Sequence, residues 1–180
     1  IFATYAVFYS IASFGVDGLI TYYMSNDLMA PERAICQYGA LRGIGAILGA
    51  VIGGISMDRL GYKRIAYIAI FVVSSSACIM GFTSSVTMVL GFAVLWGFAW
   101  GSQEAVFFSL AMSLTDVRIA ASMFAIMVAL SNLGTAITNG VGTALSAKIG
   151  FHTIFFILAG FNFVNIVLLY LCFRMWKPAQ

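Results

Sequence analysis

The stretch Gly53–Arg64, GGISMDRLGYKR, holds much of the charge of a chain that otherwise has very little. Asp58, Arg59, Lys63 and Arg64 are four of only fifteen Asp, Glu, Lys and Arg residues among 180. Long uncharged runs flank the cluster on either side. A dense group of charges between apolar runs predicts a connection at a membrane surface.

The composition outside this stretch is that of an integral membrane protein. Hydrophobic residues make up 62% of the chain, charged residues 8%, and the mean hydropathy is +1.03, whereas soluble domains carry about 25% charged residues. The runs 65–103, 119–147 and 149–173 lack Asp, Glu, Lys and Arg, and each exceeds the ~20 residues of a transmembrane helix. The sequence shows no period-two alternation typical of a membrane barrel and no basic stripe typical of nucleic-acid binding. It therefore predicts an all-α membrane protein.

Glycines, prolines and charges divide the apolar runs into six predicted transmembrane helices. The predicted spans are 2–24, 35–57, 65–82, 86–113, 119–146 and 151–173. Because the chain opens inside an apolar segment without a methionine, we expect a single six-helix domain that is a fragment of a longer protein.

The Lys and Arg residues of the predicted loops fall mostly on one side of the membrane. The side with both termini holds six and the other side two: Arg59, Lys63, Arg64, Arg118, Arg174 and Lys177 against Arg33 and Lys148. Loops rich in Lys and Arg face the cytoplasm. We therefore expect cytoplasmic termini, in the cytoplasmic (inner) membrane of a bacterium or archaeon.

The charged stretch also has a specific spacing. Its pattern is Gly-x-x-x-Asp-Arg-x-Gly-x-Lys-Arg, formed by Gly54, Asp58, Arg59, Gly61, Lys63 and Arg64. This pattern resembles the signature loop of the major facilitator superfamily of secondary transporters. The resemblance implies a latch whose ion pairs form in one transport state and break in another. The alternative is an ordinary basic loop between two spans.

Each residue type of the pattern has a physical use at its position. Gly54 would let a neighbouring helix approach the inner end of the second helix. Asp58 could accept hydrogen bonds from Arg59 or from free amides at a helix start. Gly61 would permit a positive φ in a tight turn. The two basic residues that follow would lie beside anionic headgroups or a partner acid.

The six spans resemble one half of a major facilitator protein, which consists of two six-helix halves, each an inverted pair of three-helix repeats. The fourth span lacks the Arg typical of the amino-terminal half, and the fifth lacks the proline of the antiporter pattern. The segment 107–136, with Ala121, Ser122, Phe124 and Ala125, resembles the AmpG-like branch of muropeptide permeases and acetyl-CoA transporters. The resemblance implies a carboxy-terminal half, partnered by a missing amino-terminal half or by a second copy.

Three ionisable side chains lie inside predicted spans, where each costs roughly 3 kcal/mol at the helix centre: Asp17, Arg42 and Glu104. Asp17 and Arg42 lie at comparable depth, so an ion pair between them is possible. Asp17 is then either a proton acceptor or solute contact, or one half of a structural pair. Glu104 is either a coupling residue or a carboxylate that reaches the cytoplasmic interface.

Polar side chains form stripes at helical spacing on two spans. The stripe on the first helix suggests a face open to water: Tyr9, Ser13, Asp17 and Thr21. The stripe on the fifth helix suits sugar hydroxyls or amides: Asn132, Thr135, Asn139 and Thr143. The alternative use of this second stripe is hydrogen bonding between helices.

Other features predict packing. Glycines at four-residue spacing would let helices touch backbone to backbone: Gly39 and Gly43, then Gly45, Gly49 and Gly53, then Gly97 and Gly101. We interpret Trp96 and Trp100 as core or lipid-facing, Asn162 and Asn165 as packing residues, and His152 as incidental in an outer loop.

These observations favour a proton-coupled secondary transporter that moves a small polar solute, such as a muropeptide, a sugar or a peptide-like compound, by alternating access. A non-transporting receptor or scaffold on the same fold is the alternative. An intramembrane enzyme is disfavoured, because the chain has one histidine and neither metal-ligand spacing nor a paired-aspartate signature. We expect no catalytic residue, cofactor or metal, and expect the solute, protons and the lipid bilayer as partners.

Overall fold

A computed structural model of the chain describes residues 2–113 and 119–175. Its helices are α1 (Phe2–Asn26), α2 (Glu32–Leu60), α3 (Tyr62–Gly81), α4 (Val86–Ser113), α5 (Ala120–Ile149), α6 (Phe151–Asn162) and α7 (Val164–Met175). Six helical stretches, with α6 and α7 together forming the last, are long and apolar enough to cross a membrane. The predicted fold class, an all-α membrane protein, is confirmed. Arg118 and Lys177, two of the six basic residues on the predicted cytoplasmic side, lie outside the described residues.

The charged stretch is almost entirely helical. Asp58 and Arg59 lie in the last turn of α2, Lys63 lies in the first turn of α3, and Gly61 alone joins the two helices. The expectation of a surface loop is wrong in this respect, because one glycine turns the chain. Gly61 has φ +86° and ψ 147°. This is the positive φ that the sequence predicts, in a region that residues with a side chain rarely adopt.

Gly61→Ala is expected to lower the free energy of unfolding by about 1–3 kcal/mol, because alanine would be held in a backbone region nearly reserved for glycine. Gly54→Ala is a matched control within the same pattern. A Cβ on Gly54 meets no atom within 4 Å, and alanine is the better helix former by about 0.5–1 kcal/mol. Unfolding in detergent, followed by helical circular dichroism, compares the variants, and equal stability of the two would contradict this account.

The bundle consists of two matching units. Helix α2 packs mainly on α4, and α5 packs mainly on α1. Gly45 of α2 lies against the Val94 carbonyl of α4, just as Gly134 of α5 lies against the Val7 carbonyl of α1. The junctions match as well, because Gly61 and Gly150 have φ of +86° and +83°. The first three spans and the last three therefore form related units, as expected for an inverted repeat.

The contact between α2 and α4 is made by glycines of both helices, as their spacing predicts. A Cβ on any of five glycines would meet main-chain atoms of the opposite helix: Gly45, Gly49, Gly53, Gly97 and Gly101. The two backbones thus pack directly on each other, which small residues allow inside a membrane. A Cβ on Gly39 or Gly43 would meet nothing within 4 Å. That predicted pair makes no close helix contact in the described residues.

His152 connects three helices at one end of the bundle. Its Nδ1 donates to the Gly81 carbonyl oxygen at 2.8 Å, since a carbonyl can only accept. Its Nε2 lies 3.4 Å from the Tyr23 hydroxyl, which in turn donates to the Thr83 carbonyl at 2.7 Å. His152 therefore ties the first turn of α6 to α1 and to the end of α3. The interpretation of His152 as incidental is wrong.

The last span is divided into α6 and α7 at Phe163. Asn162 and Asn165 flank this point and are both buried. The Asn162 amide donates to Ser74 Oγ at 3.1 Å and to the Ile70 carbonyl at 3.3 Å. The Asn165 amide donates to Asn162 Oδ1 at 2.8 Å. Both asparagines bond within the bundle, as predicted for packing residues.

Candidate functional site

Asp17 and Arg42 form an ion pair between α1 and α2, the pair that the sequence made possible. It is the single ion pair among the described residues. The two side chains keep 19% and 23% of their exposure, respectively. The Trp96 indole Nε1 of α4 also donates to Asp17 Oδ1 at 3.0 Å. The carboxylate is thus held from two helices while one side of the pair stays open.

Trp100 lies beside this pair, one turn beyond Trp96 on α4. The Arg42 guanidinium carbon is 4.4 Å from the centroid of the Trp100 ring, a cation–π distance. Phe14 meets the same ring edge-on, with centroids 5.4 Å apart. Trp96 is fully buried, as a core residue should be. Trp100 packs against the hydrophobic core, as interpreted from the sequence, and its ring also covers the Arg42 cation.

Asn139 lies at the level of the ion pair. A Cβ on Gly18, the residue after Asp17, would come within 2.6 Å of Asn139 Oδ1. The amide of Asn139 is exposed, so it can contact a solute beside the pair. Asn132 is also exposed, but it lies two helical turns from Asn139. The fold therefore pairs Asp17 with Arg42, places Asn139 against Gly18, the next residue of α1, and leaves Asn132 two turns away.

The threonines of the α5 stripe use their hydroxyls within the helix. Thr135 donates to the Ser131 carbonyl at 3.2 Å, and Thr143 donates to carbonyls one turn earlier. Thr138, beside the stripe, donates to the Ile11 carbonyl of α1 at 3.2 Å and so bonds two helices together. The threonine hydroxyls therefore support the helix and its packing, whereas contact of the exposed Asn132 and Asn139 amides with a solute stays a prediction.

The α1 stripe is not a continuous face open to water. Tyr9 and Ser13 are fully buried. The Ser13 hydroxyl donates to Gln103 Oε1 at 2.8 Å, and the Tyr9 ring stacks on Phe107 at 4.6 Å. The expectation of a wet face along this stripe is wrong there, because α4 covers its first half. Only the half that begins at Asp17 reaches the open side.

Glu104 lies on α4, one turn beyond Trp100, and is half-buried. Among the described residues, its carboxylate has no hydrogen-bond or ion-pair partner. It is nevertheless close enough to interact electrostatically with Arg42 and Asp17. Within the described residues, Glu104 is thus an unpaired carboxylate close to the Asp17–Arg42 pair, whose own charges cancel. In residues 2–113 and 119–175, no group of three His, Cys, Asp or Glu side chains is placed to hold a metal ion.

Two further residues near the pair were not singled out from the sequence. Tyr38, four residues before Arg42 on α2, is buried and interacts electrostatically with the pair, and its hydroxyl has no partner among the described residues. Gln103 is fully buried and bonds Ser13. The four-residue spacing of Tyr38 and Arg42 could have indicated the first. The second had no clear signal, because a buried glutamine between helices looks like any polar residue in a span.

The residues of the charged pattern lie apart from the ion pair, at the α2–α3 junction. Asp58, Arg59, Lys63 and Arg64 are all exposed, and none forms an ion pair within the described part of the chain. Lys63 Nζ lies 5.7 Å from the centroid of the Phe173 ring of α7. No atom lies within 4 Å of a Cβ on Gly54, so the close helix approach expected there is not made within this chain.

The sequence of this chain matches a known protein family and several relatives. A family model described as the Major Facilitator Superfamily matches residues 2–179. Uncharacterized proteins of Mycobacterium tuberculosis and Mycobacterium bovis are 31% identical over 132 residues, which cover 73% of this chain and 31% of each relative. The chain thus spans about a third of the length of these relatives.

A solved structure shares the fold. The xylose transporter XylE from E. coli, in an inward open conformation, superimposes with a TM-score of 0.63 at 18% identity. The match covers 94% of this chain and 45% of that one. At this identity the likeness concerns the fold alone. It means that these helices follow the course of just under half of that protein.

Proposed function

This chain belongs to the major facilitator superfamily, and from that premise we propose that it is part of a proton-coupled secondary transporter for a small polar solute. The observation that carries the proposal is the Asp17–Arg42 pair on the open side of the bundle. Charged side chains inside a membrane normally face protein or a water-filled cavity. Here they have partners on one side only, which leaves the other side for a solute.

We assign different tasks to the two carboxylates. Asp17 is paired with Arg42 and accepts a hydrogen bond from Trp96, so its task is to position the guanidinium. Glu104 has no such partner in the described residues and is half-buried, so it is the better group to gain and lose a proton. In this scheme Arg42, Asp17 and Asn139 contact the solute, and Glu104 carries the coupled proton. Asn132 would contact a solute only farther along the same face.

The described helices fit one half of a two-half transporter, since they match less than half of a solved transporter chain. In the proposal, the open side with Asp17 and Asn139 faces a second six-helix unit, either an amino-terminal half or another copy. The exposed charged pattern at Gly61 then forms its ion pairs across that boundary and acts as the latch. The protein would lie in the inner membrane of a bacterium or archaeon, with the α2–α3 junction and both termini on the cytoplasmic side.

The solute class rests on the resemblance of residues 107–136 to the AmpG-like branch, and it includes muropeptides and other peptide-like or sugar-like compounds. An exposed amide, a guanidinium and an aromatic ring suit a solute with both hydroxyl and carbonyl groups. A receptor or scaffold on the same fold remains the second candidate. The Glu104 carboxylate, which has no partner in the part of the chain that the structure describes, favours transport, because a scaffold has no use for such a carboxylate at this position.

The test is uptake driven by a pH gradient into proteoliposomes that contain the complete transporter, with muropeptides, sugars and dipeptides as solutes. Glu104→Gln is expected to abolish the dependence of net uptake on the gradient while solute exchange at equal concentrations persists, because only the proton step is lost. Glu32→Gln, in the exposed first turn of α2, is the matched control and should leave both activities unchanged. Proton dependence that survives in Glu104→Gln would remove Glu104 as carrier, and a wild-type protein without uptake of any solute would favour the receptor or scaffold.

A further inference from the structure

An apolar groove lies on the outside of the bundle between α2 and α3, with α4 as its floor. It offers about 390 Å³ of space, part of which is open to the surroundings. Its walls are almost entirely apolar and include Ile52, Gly53, Ile65, Ile68 and Val72. Ile52 and Ile68 remain about half exposed, so the groove opens sideways, toward lipid. From Arg64 to Val72 it extends about 12 Å along α3, which is within one leaflet of a hydrocarbon core of about 30 Å.

Helical spacing places two arginines, which are not part of the groove walls, next to its mouth. Arg64 precedes Ile68 by four residues on α3, and Arg59 follows Ser56, another wall residue, by three on α2. Both spacings place the arginine on the same helix face as the groove, one turn nearer the membrane surface. Both side chains are exposed and have no ion-pair partner among the described residues. Asp58 is two residues from Ser56, about 200° around α2, and therefore points away from the mouth.

The second unit of the bundle contains the equivalent groove. It lies between α5 and α6, with Val141, Gly142, Ile154 and Ile157 in the places of Ile52, Gly53, Ile65 and Ile68. Its mouth differs, because Lys148 and Thr153 occupy the positions of Arg59 and Arg64. Two similar grooves thus open to opposite leaflets, and only the first has a pair of guanidinium groups.

We propose that the α2–α3 groove binds one anionic phospholipid, with its phosphate on Arg59 and Arg64 and one acyl chain along the apolar walls. Arginine forks match phosphate oxygens and bind them bidentately. Basic side chains next to a membrane attract anionic lipids. The apolar walls favour a ligand with an acyl chain over a soluble phosphate, which would contact the arginines alone. This site is separate from the Asp17–Arg42 pair and goes beyond the proposed transport function. It uses two arginines of the charged pattern in the transport state in which the latch ion pairs are broken.

The experiment is native mass spectrometry of the purified chain in detergent with equal amounts of phosphatidylglycerol and phosphatidylcholine of the same acyl composition. The wild type should retain phosphatidylglycerol in preference. Each arginine contributes about fivefold to that preference, so Arg59→Gln with Arg64→Gln should lower the ratio of the two lipids by about tenfold or more. Lys148→Gln, at the equivalent groove, should leave the ratio unchanged. Circular dichroism checks that the variants, which alter exposed side chains only, keep their helices.

Two further measurements separate the lipid from other occupants. Ser56→Phe fills the groove from its half-exposed wall and should reduce the retained phosphatidylglycerol severalfold. Glycerol 3-phosphate added in excess carries the headgroup without the chain and should displace little of the lipid. Equal retention of both lipids by the wild type, or an unchanged ratio in the double arginine variant, would overturn the proposal. So would unaltered retention in Ser56→Phe, full displacement by glycerol 3-phosphate, or a lipid-free dimer that hides the groove.

Discussion

Gly97→Ala is expected to destabilise the bundle by about 1–3 kcal/mol, the usual effect of an added methyl group in a tightly packed contact. A Cβ on Gly97 would collide with the main chain of Arg42, including its carbonyl oxygen. Main-chain atoms cannot rotate aside, so α2 and α4 would have to separate. Because Arg42 is the residue displaced, the same change should also disturb its ion pair with Asp17.

Gly91→Ala is the matched control on the same helix, since a Cβ there meets nothing within 4 Å. That variant should be as stable as the wild type, or more stable by up to about 1 kcal/mol from helix propensity. Unfolding by a graded increase of denaturing detergent, followed by circular dichroism, gives both values. If Gly97→Ala matches Gly91→Ala, the direct backbone contact between α2 and α4 is not needed for stability.

Removing one partner of the Asp17–Arg42 pair is expected to cost about 3 kcal/mol of folding stability, because the other charge is left uncompensated inside the membrane. Asp17→Asn leaves the Arg42 guanidinium without its counter-charge, and Arg42→Gln leaves the Asp17 carboxylate without its counter-charge. The double variant Asp17→Asn with Arg42→Gln has neither charge and should recover to within about 1 kcal/mol of the wild type. The same unfolding measurement on all four proteins yields the coupling between the two residues.

The double variant also decides between the two readings of Asp17. It should fold, so its uptake activity reports on the site and not on stability. If the pair contacts the solute, uptake falls at least tenfold although the protein is intact. If the pair is structural, uptake stays near the wild-type level. Additive losses in the single variants, with no recovery in the double variant, would instead mean that the pair contributes no stability.

Much of the architecture could be predicted from the sequence, because the bilayer imposes simple rules. Uncharged runs predict spans, since a membrane excludes charge. The glycines at 45, 49 and 53 predict a close contact, and α4 makes it. Gly61 predicts a positive φ, which it has. Each of these features depends on one residue type that tolerates few alternatives, so the spacing alone carries the information.

The faces of the polar residues could not be predicted in the same way. Tyr9 and Ser13 share a stripe with Asp17, yet α4 buries them. Inside a membrane a hydroxyl can bond a neighbouring helix as well as water, so periodicity cannot tell an open face from an inner one. His152 posed the same difficulty, because its partners Gly81 and Tyr23 are distant in sequence. Such pairings arise from the tertiary arrangement of the helices.

The two matching units differ at one position of consequence. On α2 this position is Gly49, which lies against the Phe98 carbonyl of α4. On α5 it is Thr138, whose hydroxyl donates a hydrogen bond to the Ile11 carbonyl of α1. Sliding α5 along α1 would break that bond, whereas the described side chains of α2 and α4 share no hydrogen bond of this kind. A hydrogen bond therefore fixes the α1–α5 contact, whereas the α2–α4 contact is a smooth surface of glycines. If the bundle changes conformation, we therefore expect α2 to move along α4 first, and Arg42 would move with it.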